Sequence, residues 1–125
     1  MYVMVEDVAE GKAGSKPKAD VQSLRALSVV AYDCGFHFYT AIGNYSGVTA
    51  TSLGEFGEKL KTISLDSVKF HFDRADFQRW VRIIFCDPEL AESIGLIGSD
   101  YSGEKLRNEI ISRIEKHLIK LKGIS

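Results

Sequence analysis

Apolar residues recur with helical spacing through the last third of the chain. One face of a long amphipathic helix is predicted from Leu106, Ile110, Ile114, Leu118 and Leu121. Gly123 follows this stretch as a C-terminal cap. The chain therefore ends in a long helix.

Two further helices are predicted before it. The first begins near Asp73 or Asp76, and the apolar residues of its buried face are Phe77, Trp80, Val81, Ile84 and Phe85. The second is short, with Asp87 as its N-cap and Pro88 at its first helical position, and it stops by Gly95.

Residues 36–60 predict a β-hairpin followed by a helix. Phe36 and Phe38 alternate with polar residues as in a strand, "GNYSG" (43–47) supplies turn formers, and "VTATS" restores β-branched residues. Ser52 and Glu55 form a capping box that starts the next helix. Gly54 and Gly57 lie inside that helix, and close packing of the helix on the hairpin would account for both.

Residues 65–72 fit two patterns. Val68, Phe70 and Phe72 alternate as in a strand, whereas Leu65, Val68 and Phe72 fit a helix that begins after Ser64. Near residue 21, a short helix is predicted to run into an extended segment.

These elements predict an α+β fold in one domain, residues 21–125. A two-stranded hairpin is marginally stable alone, so about four helices are expected to cover it. Residues 10–20 have the Gly, Ser, Pro and Lys content of a linker, whereas the preceding "MYVMVEDV" is apolar and could form a short strand; residues 1–20 are together predicted to be a flexible tail or linker.

Charge and composition add little to this picture. A net charge of −1 gives no general reason to expect nucleic acid or an anionic membrane as partner. No apolar run reaches the roughly 20 residues that span a bilayer, and the acidic N-terminus lacks the basic region of a signal peptide. Cys34 and Cys86 form no metal-binding pair and are expected to be free, reduced and packed, which predicts a cytoplasmic protein.

No catalytic, cofactor or metal motif is complete. The spacing of Gly43 and Gly47 fits neither the phosphate-binding loop nor the dinucleotide motif, and no nucleophile motif occurs. His71, Asp73 and Asp76 would form an acid–base or metal site if they converged, but a half-buried histidine with helix-capping acids is the ordinary interpretation.

Basic residues suggest a second kind of site. Basic residues lie on the surfaces of the last predicted helix and of the helices before it: Arg74, Arg79, Arg82, Arg113, Lys116 and Lys120. They could contact phosphates while Tyr39 or Tyr45 stacks on bases. Glu109 precedes Arg113 by four residues, however, which is typical of an ordinary surface pair.

The stretches "FHFYTAIGNYSGVTATSLGEF", "FHFDRADFQRW" and "CDPELA" resemble the recurring pattern of a small prokaryotic domain family, frequent in archaea and without an assigned function. The residues at matching positions are Phe36, Phe38, Gly47, Ala50, Ser52, Leu53, Phe56, His71, Arg74, Asp76, Phe77, Trp80, Asp87, Glu89, Leu90 and Ala91. Departures occur at His37, at Ala75 where glycine is common, and at Cys86 where glycine usually precedes the acid.

The resemblance covers residues 36–95 and implies that residues 67–72 are helical. It implies no activity, although a modular accessory or docking role suits it. We therefore predict a non-catalytic module that binds or regulates a protein partner, without a cofactor, through Tyr39, Tyr45, Arg74, Arg79 and Arg82. The alternatives are nucleic-acid binding, and an enzyme or metal site around His71, Asp73 and Asp76.

Overall fold

A computed structural model describes residues 21–123 of the chain, and the predicted N-terminal tail lies outside this range. The order of elements is α1 (Val21–Ala26), a 3-10 turn (Tyr32–Cys34), β1 (Phe36–Ala41), β2 (Asn44–Ala50), α2 (Leu53–Leu60), α3 (Leu65–Asp73), α4 (Asp76–Phe85), α5 (Pro88–Gly95) and α6 (Gly103–Leu121). The predicted α+β class, with a hairpin and a long C-terminal helix, is confirmed.

The hairpin is antiparallel, with Phe36 opposite Ala50 and Phe38 opposite Val48. Its turn is shorter than predicted: β2 already begins at Asn44, and the register shifts beyond Phe38. Gly47 has a positive φ of 89° within β2, so the glycine serves an irregular strand rather than the turn itself.

Aromatic side chains connect the inner face of the hairpin to the helices. Phe36 and Phe38 are buried, and the ring of Phe36 lies 5.4 Å from Phe56 and 5.5 Å from Trp80 between centroids. Helices α2, α3 and α4 therefore cover one face of the sheet, as the marginal stability of a hairpin requires.

Residues 65–72 are helical, which settles the ambiguity of this stretch. Ser64 caps α3 by accepting from the Ser67 N–H at 3.2 Å. Val68 and His71 are buried, whereas Phe70 and Phe72 are partly buried. The alternating aromatic residues thus lie on different sides of one helix.

The capping box at α2 is confirmed with one shift. Ser52 Oγ accepts from the Glu55 N–H at 3.0 Å, but the Glu55 carboxylate reaches back to the N–H of Thr51, at 2.7 Å, rather than to that of Ser52. This backbone hydrogen bond, aided by the Thr51 hydroxyl, lowers the pKa of Glu55 despite partial burial.

The glycines of α2 do not face the hairpin, so that expectation is wrong. A side chain added at Gly57 would meet Ile114 of α6 at 3.5 Å, and one at Gly54 would meet nothing within 4 Å. Helix α2 therefore packs its Gly57 side on the C-terminal helix.

Buried polar contacts join α6 to the helices around it. Arg107 donates to the carbonyls of Leu60, the last residue of α2, and of Ile63, which follows the helix, at 2.6 and 2.7 Å. His117 contacts Asp87 at 2.6 Å, and Asp87 also caps α5 through the Leu90 N–H, as predicted.

Candidate functional site

A cleft of about 500 Å³ opens between the hairpin and the junction of α3 with α4. Its strand side runs along β1 from Gly35 to Gly43, and its helical side runs from Phe70 to Trp80. Most of the lining is apolar or aromatic. The volume falls within the range of about 300 to 1,000 Å³ that is usual for ligand pockets.

His71 lies in the wall of this cleft and makes two hydrogen bonds. Its Nε2 accepts from the backbone N–H of Tyr39 at 2.8 Å, and its Nδ1 lies 2.8 Å from Asp76 Oδ2. A backbone N–H can only donate, so Nε2 carries no proton and Nδ1 donates to Asp76. Burial lowers the pKa of His71, against the opposing effect of Asp76, and keeps the ring neutral.

Asp76 receives hydrogen bonds from three side chains. His71 and Arg74 donate to Oδ2, and Arg79 donates to Oδ1 at 2.5 Å. Partial burial opposes ionisation of Asp76, but the three hydrogen bonds outweigh it and lower its pKa. Asp76 therefore stays ionised and holds the α3–α4 junction together.

The three predicted arginines have different surroundings. Arg74 lines the cleft, with its guanidinium 5.0 Å from the centre of the Phe70 ring. Arg79 also donates to the Arg74 carbonyl at 2.8 Å. Arg82 is exposed in the last turn of α4 and does not line the cleft. The structure thus joins Arg74 and Arg79 through Asp76 and leaves Arg82 apart.

The predicted tyrosines lie on the outer face of the hairpin. Tyr39 and Tyr45 have ring centres 5.6 Å apart, and with Tyr32 and His37 they line a second hollow of about 250 Å³. His37 and Tyr39 line both the hollow and the cleft. The two depressions therefore form one aromatic surface.

Hydroxyl groups fix these outer rings. Tyr45 and Thr49 have their oxygens 2.5 Å apart, and His37 Nδ1 lies 2.8 Å from the same Thr49 hydroxyl. The Tyr32 hydroxyl lies 3.1 Å from that of Tyr45. These contacts hold the aromatic rings in place relative to one another.

Three residues of the cleft were not predicted from the sequence to be site residues. Ile42 is 83 % exposed at the hairpin turn, Phe70 lines the helical side, and Trp80 donates its indole N–H to the Cys34 carbonyl at 2.9 Å. The signal that the sequence offered for Ile42 was an apolar residue directly before the turn formers Gly43 and Asn44.

The hypothetical acid–base or metal site is only partly assembled. His71 contacts Asp76, but Asp73 is exposed and pairs with Lys69 at 2.7 Å. Within residues 21–123, no three His, Cys, Asp or Glu side chains lie close enough together to hold a metal ion.

The basic residues of α6 lie among acidic ones. Arg113 pairs with Glu109 at 2.8 Å and donates to the Ser93 carbonyl, and Lys120 pairs with Glu89. These pairs break up the positive face that the nucleic-acid hypothesis requires.

Cys34 and Cys86 are unpaired, as predicted, but both are exposed rather than packed. Cys86 has a positive φ of 53° between α4 and α5. This connection carries its side chain away from the core.

Comparison of the chain with protein-family models, curated proteins and solved structures finds no match. The family resemblance therefore stays a prediction. Among the helices of residues 21–123, none combines the length and apolar character needed to cross a membrane.

Proposed function

We propose that this protein is a non-catalytic module that binds a protein partner through the cleft and the adjoining outer face of the hairpin. The observation that carries the proposal is the cleft itself, since an aromatic depression whose walls are fixed by hydrogen bonds is ready to receive a partner's side chains. Tyr39 and Arg74 belong to the wall, and Tyr45 lies on the adjoining surface.

The bonding of the polar groups favours binding over catalysis. A general base needs a lone pair directed at the substrate, but the free lone pair of His71 accepts from the Tyr39 backbone. Asp76 is likewise engaged by three donors. These groups stabilise the cleft rather than offering a proton acceptor to it.

The character of the cleft favours protein over nucleic acid. A polynucleotide site requires several cations along a phosphate path, whereas Arg74 is the one basic side chain with a permanent charge that lines this cleft among the described residues. Aromatic rings with a single arginine are typical of the centres of protein interfaces.

Two variants test the proposal. Ile42→Arg places a charge at the mouth of the cleft, and Leu96→Arg places the same charge at the end of α5, where Leu96 is 72 % exposed. We expect a partner captured from lysate of the source organism by the wild-type chain and by Leu96→Arg to be lost with Ile42→Arg. Equal capture by all three chains would contradict the proposed site.

We also propose a cytoplasmic location. Exposed, unpaired thiols such as those of Cys34 and Cys86 persist most readily in a reducing compartment. Labelling of both thiols in freshly lysed cells, without prior reduction, is the expected result, and their recovery as disulfides would contradict it.

A further inference from the structure

One charged group in the wall of the cleft is only partly used within the chain. Arg74 lines the cleft, is about half exposed, and donates its Nε–H to Asp76 Oδ2 at 3.0 Å. A guanidinium carries five N–H donors in a flat fork. In the described part of the chain, the Nη groups of Arg74 make no hydrogen bond. They are therefore available to an acceptor that enters the cleft.

The neighbours of Arg74 hold it in position. Its guanidinium lies 5.0 Å from the centre of the Phe70 ring, and its backbone carbonyl accepts from Arg79 at 2.8 Å. The Nε–H bond to Asp76 orients the plane of the same group. A side chain that is already ordered loses little rotamer freedom on binding, so Arg74 is prepared to contact a ligand.

The charges around this wall leave an excess of one positive charge. Arg74 and Arg79 both pair with Asp76, so that two positive charges face one negative charge. His71 adds no charge, because burial lowers the pKa of its ring and keeps it neutral. Among the described residues that line the cleft, Asp76 is the one with a negative charge. The wall therefore attracts an anion.

Apolar surface lies directly beside this charge. Phe70 contacts the guanidinium, and Phe36, Trp80 and Ile42 line the same cleft. Its volume of about 500 Å³ is that of a pocket for a small ligand, so it can take a few side chains of a partner. An apolar pocket that adjoins a cation selects a group in which an apolar side chain and a carboxylate lie close together.

We propose that the partner anchors itself in the cleft with an aromatic or large aliphatic side chain against Phe70 and Trp80, next to an Asp or Glu whose carboxylate pairs with the Nη groups of Arg74. This inference rests on the proposed function and specifies the chemistry of its partner. Pockets that take one apolar anchor carry much of the binding energy at protein interfaces. A guanidinium with two free Nη groups can hold a carboxylate through two parallel hydrogen bonds.

A random dodecapeptide library displayed on phage, selected on the full chain, provides the probe. We expect enriched peptides to carry Asp or Glu within two positions of an aromatic or large aliphatic residue. A synthetic copy is expected to change the fluorescence of Trp80, the only tryptophan of the chain. Ile42→Asp should weaken its binding tenfold or more, and the control Leu96→Asp by less than twofold. Enriched peptides without acidic residues, or equal effects of the two variants, would overturn the inference.

A double-mutant cycle isolates the charge pair. The acidic residue of the peptide is replaced by its amide, and both peptides are titrated against the wild type, Arg74→Gln and the control Arg82→Gln, which lies outside the cleft. We expect the amide to weaken binding to the wild type and to Arg82→Gln by fivefold or more, and binding to Arg74→Gln by less than twofold.

The cycle does not depend on an undisturbed α3–α4 junction in Arg74→Gln. A change of the junction that affects both peptides alike cancels in the comparison. The wild-type chain also gives a test without any variant, since a loss of less than twofold with the amide would overturn the acidic contact. An equal effect of the amide on all three chains would overturn the assignment to Arg74.

The remaining outcomes distinguish this inference from the proposed function. Peptides that bind in the cleft without a carboxylate overturn the inference alone, whereas partner capture that ignores Ile42→Arg overturns both. Phenylacetate that binds as tightly as the selected peptide would assign the cleft to a small carboxylate instead of a partner.

Two further results would replace the partner by the chain itself. A dimer that Ile42→Asp dissociates would assign the cleft to a second copy. The N-terminal stretch "MYVMVEDV" also combines apolar residues with acidic ones. Peptide binding seen only after Glu6→Lys and Asp7→Lys would assign the cleft to this segment and overturn the inference.

Discussion

At the scale of single residues, His71 links the sheet to the α3–α4 junction. The neutral ring satisfies a strand-edge N–H on one side and donates to a carboxylate on the other. Protonation would put a proton on Nε2 and set it against the Tyr39 N–H. The hydrogen bond from the Tyr39 N–H to Nε2 therefore depends on a neutral histidine.

This dependence gives stability a defined response to pH. The pKa of His71 is lower in the folded chain than its ordinary value of 6.5, so the unfolded chain binds more protons between these two values. The contribution of His71 to stability is accordingly complete above pH 6.5 and declines as the pH falls toward the folded pKa. The charged groups around the ring are Asp76 and Arg74, and Asp76 stays ionised in this range because its pKa is lowered.

Urea unfolding between pH 5 and 7 measures this effect. We expect the wild-type chain and the control His37→Gln to lose stability on acidification, and His71→Gln to lose less. A pH dependence of His71→Gln equal to that of the wild type would contradict the assigned role of His71.

Ala75 is held in a conformation that suits glycine better. Its φ is 61°, in the left-handed region, which costs a residue with a Cβ about 1 kcal/mol or more. Ala75→Gly removes this strain but raises the conformational entropy of the unfolded chain, which offsets part of the benefit. We therefore expect a net gain of up to about 1 kcal/mol in the free energy of unfolding.

The same substitution at Ala31 is the matched control. Ala31 has an ordinary φ of −64°, so Ala31→Gly only loosens the unfolded chain and is expected to cost about 0.5 kcal/mol. Denaturant unfolding of both variants gives the comparison, and a loss at both positions would contradict the strain at Ala75.

At the scale of elements, the start of β1 depends on close packing at Gly35. A Cβ at this position would lie 2.7 Å from the Ala50 carbonyl oxygen and 2.9 Å from Thr49 Cγ2. We expect Gly35→Ala to force the strands apart and to cost about 1–3 kcal/mol of stability.

Gly54→Ala provides the contrast within the same region. This helical glycine has open space around it, so alanine is expected to raise stability by up to about 1 kcal/mol. Urea unfolding should give opposite signs for the two variants. Equal effects would show that the close approach at Gly35 is absent.

The elements were predictable where local chemistry decides them. Periodicity and caps located α4, α5 and α6, and the Ser52 and Asp87 caps form as expected. The turn was misplaced because Asn44 and Gly47, both turn formers, lie in a bulged strand. The strand pattern of residues 68–72 was ambiguous because α3 has one side in the core and another at the cleft.

The cleft could not be predicted from local patterns. It joins residues 35–43 to residues 70–80, and no periodicity relates segments so far apart in sequence. The sequence hypothesis included His71 with Asp76, and Tyr39 with Arg74, but also Asp73 and Arg82, which lie away from the cleft. Asp73 lies at the end of α3 and Arg82 in the last turn of α4, and neither side chain lines the cleft. The sequence alone does not show in which direction these side chains point.

At the scale of the whole molecule, the helices hold one edge of a small sheet beside an aromatic cleft. The hairpin gains its stability from the core, and the same packing fixes the position of the cleft walls. This fixed shape is what the proposed docking role requires.

Photo-crosslinking in the source organism tests the central claim most directly. A benzophenone amino acid replaces Ile42 at the cleft or, as control, Leu96 at the end of α5, both of which are exposed. We predict a discrete crosslinked product, containing one partner protein, from position 42 and none from position 96. No product at position 42, or the same product at both positions, would contradict a partner-binding cleft.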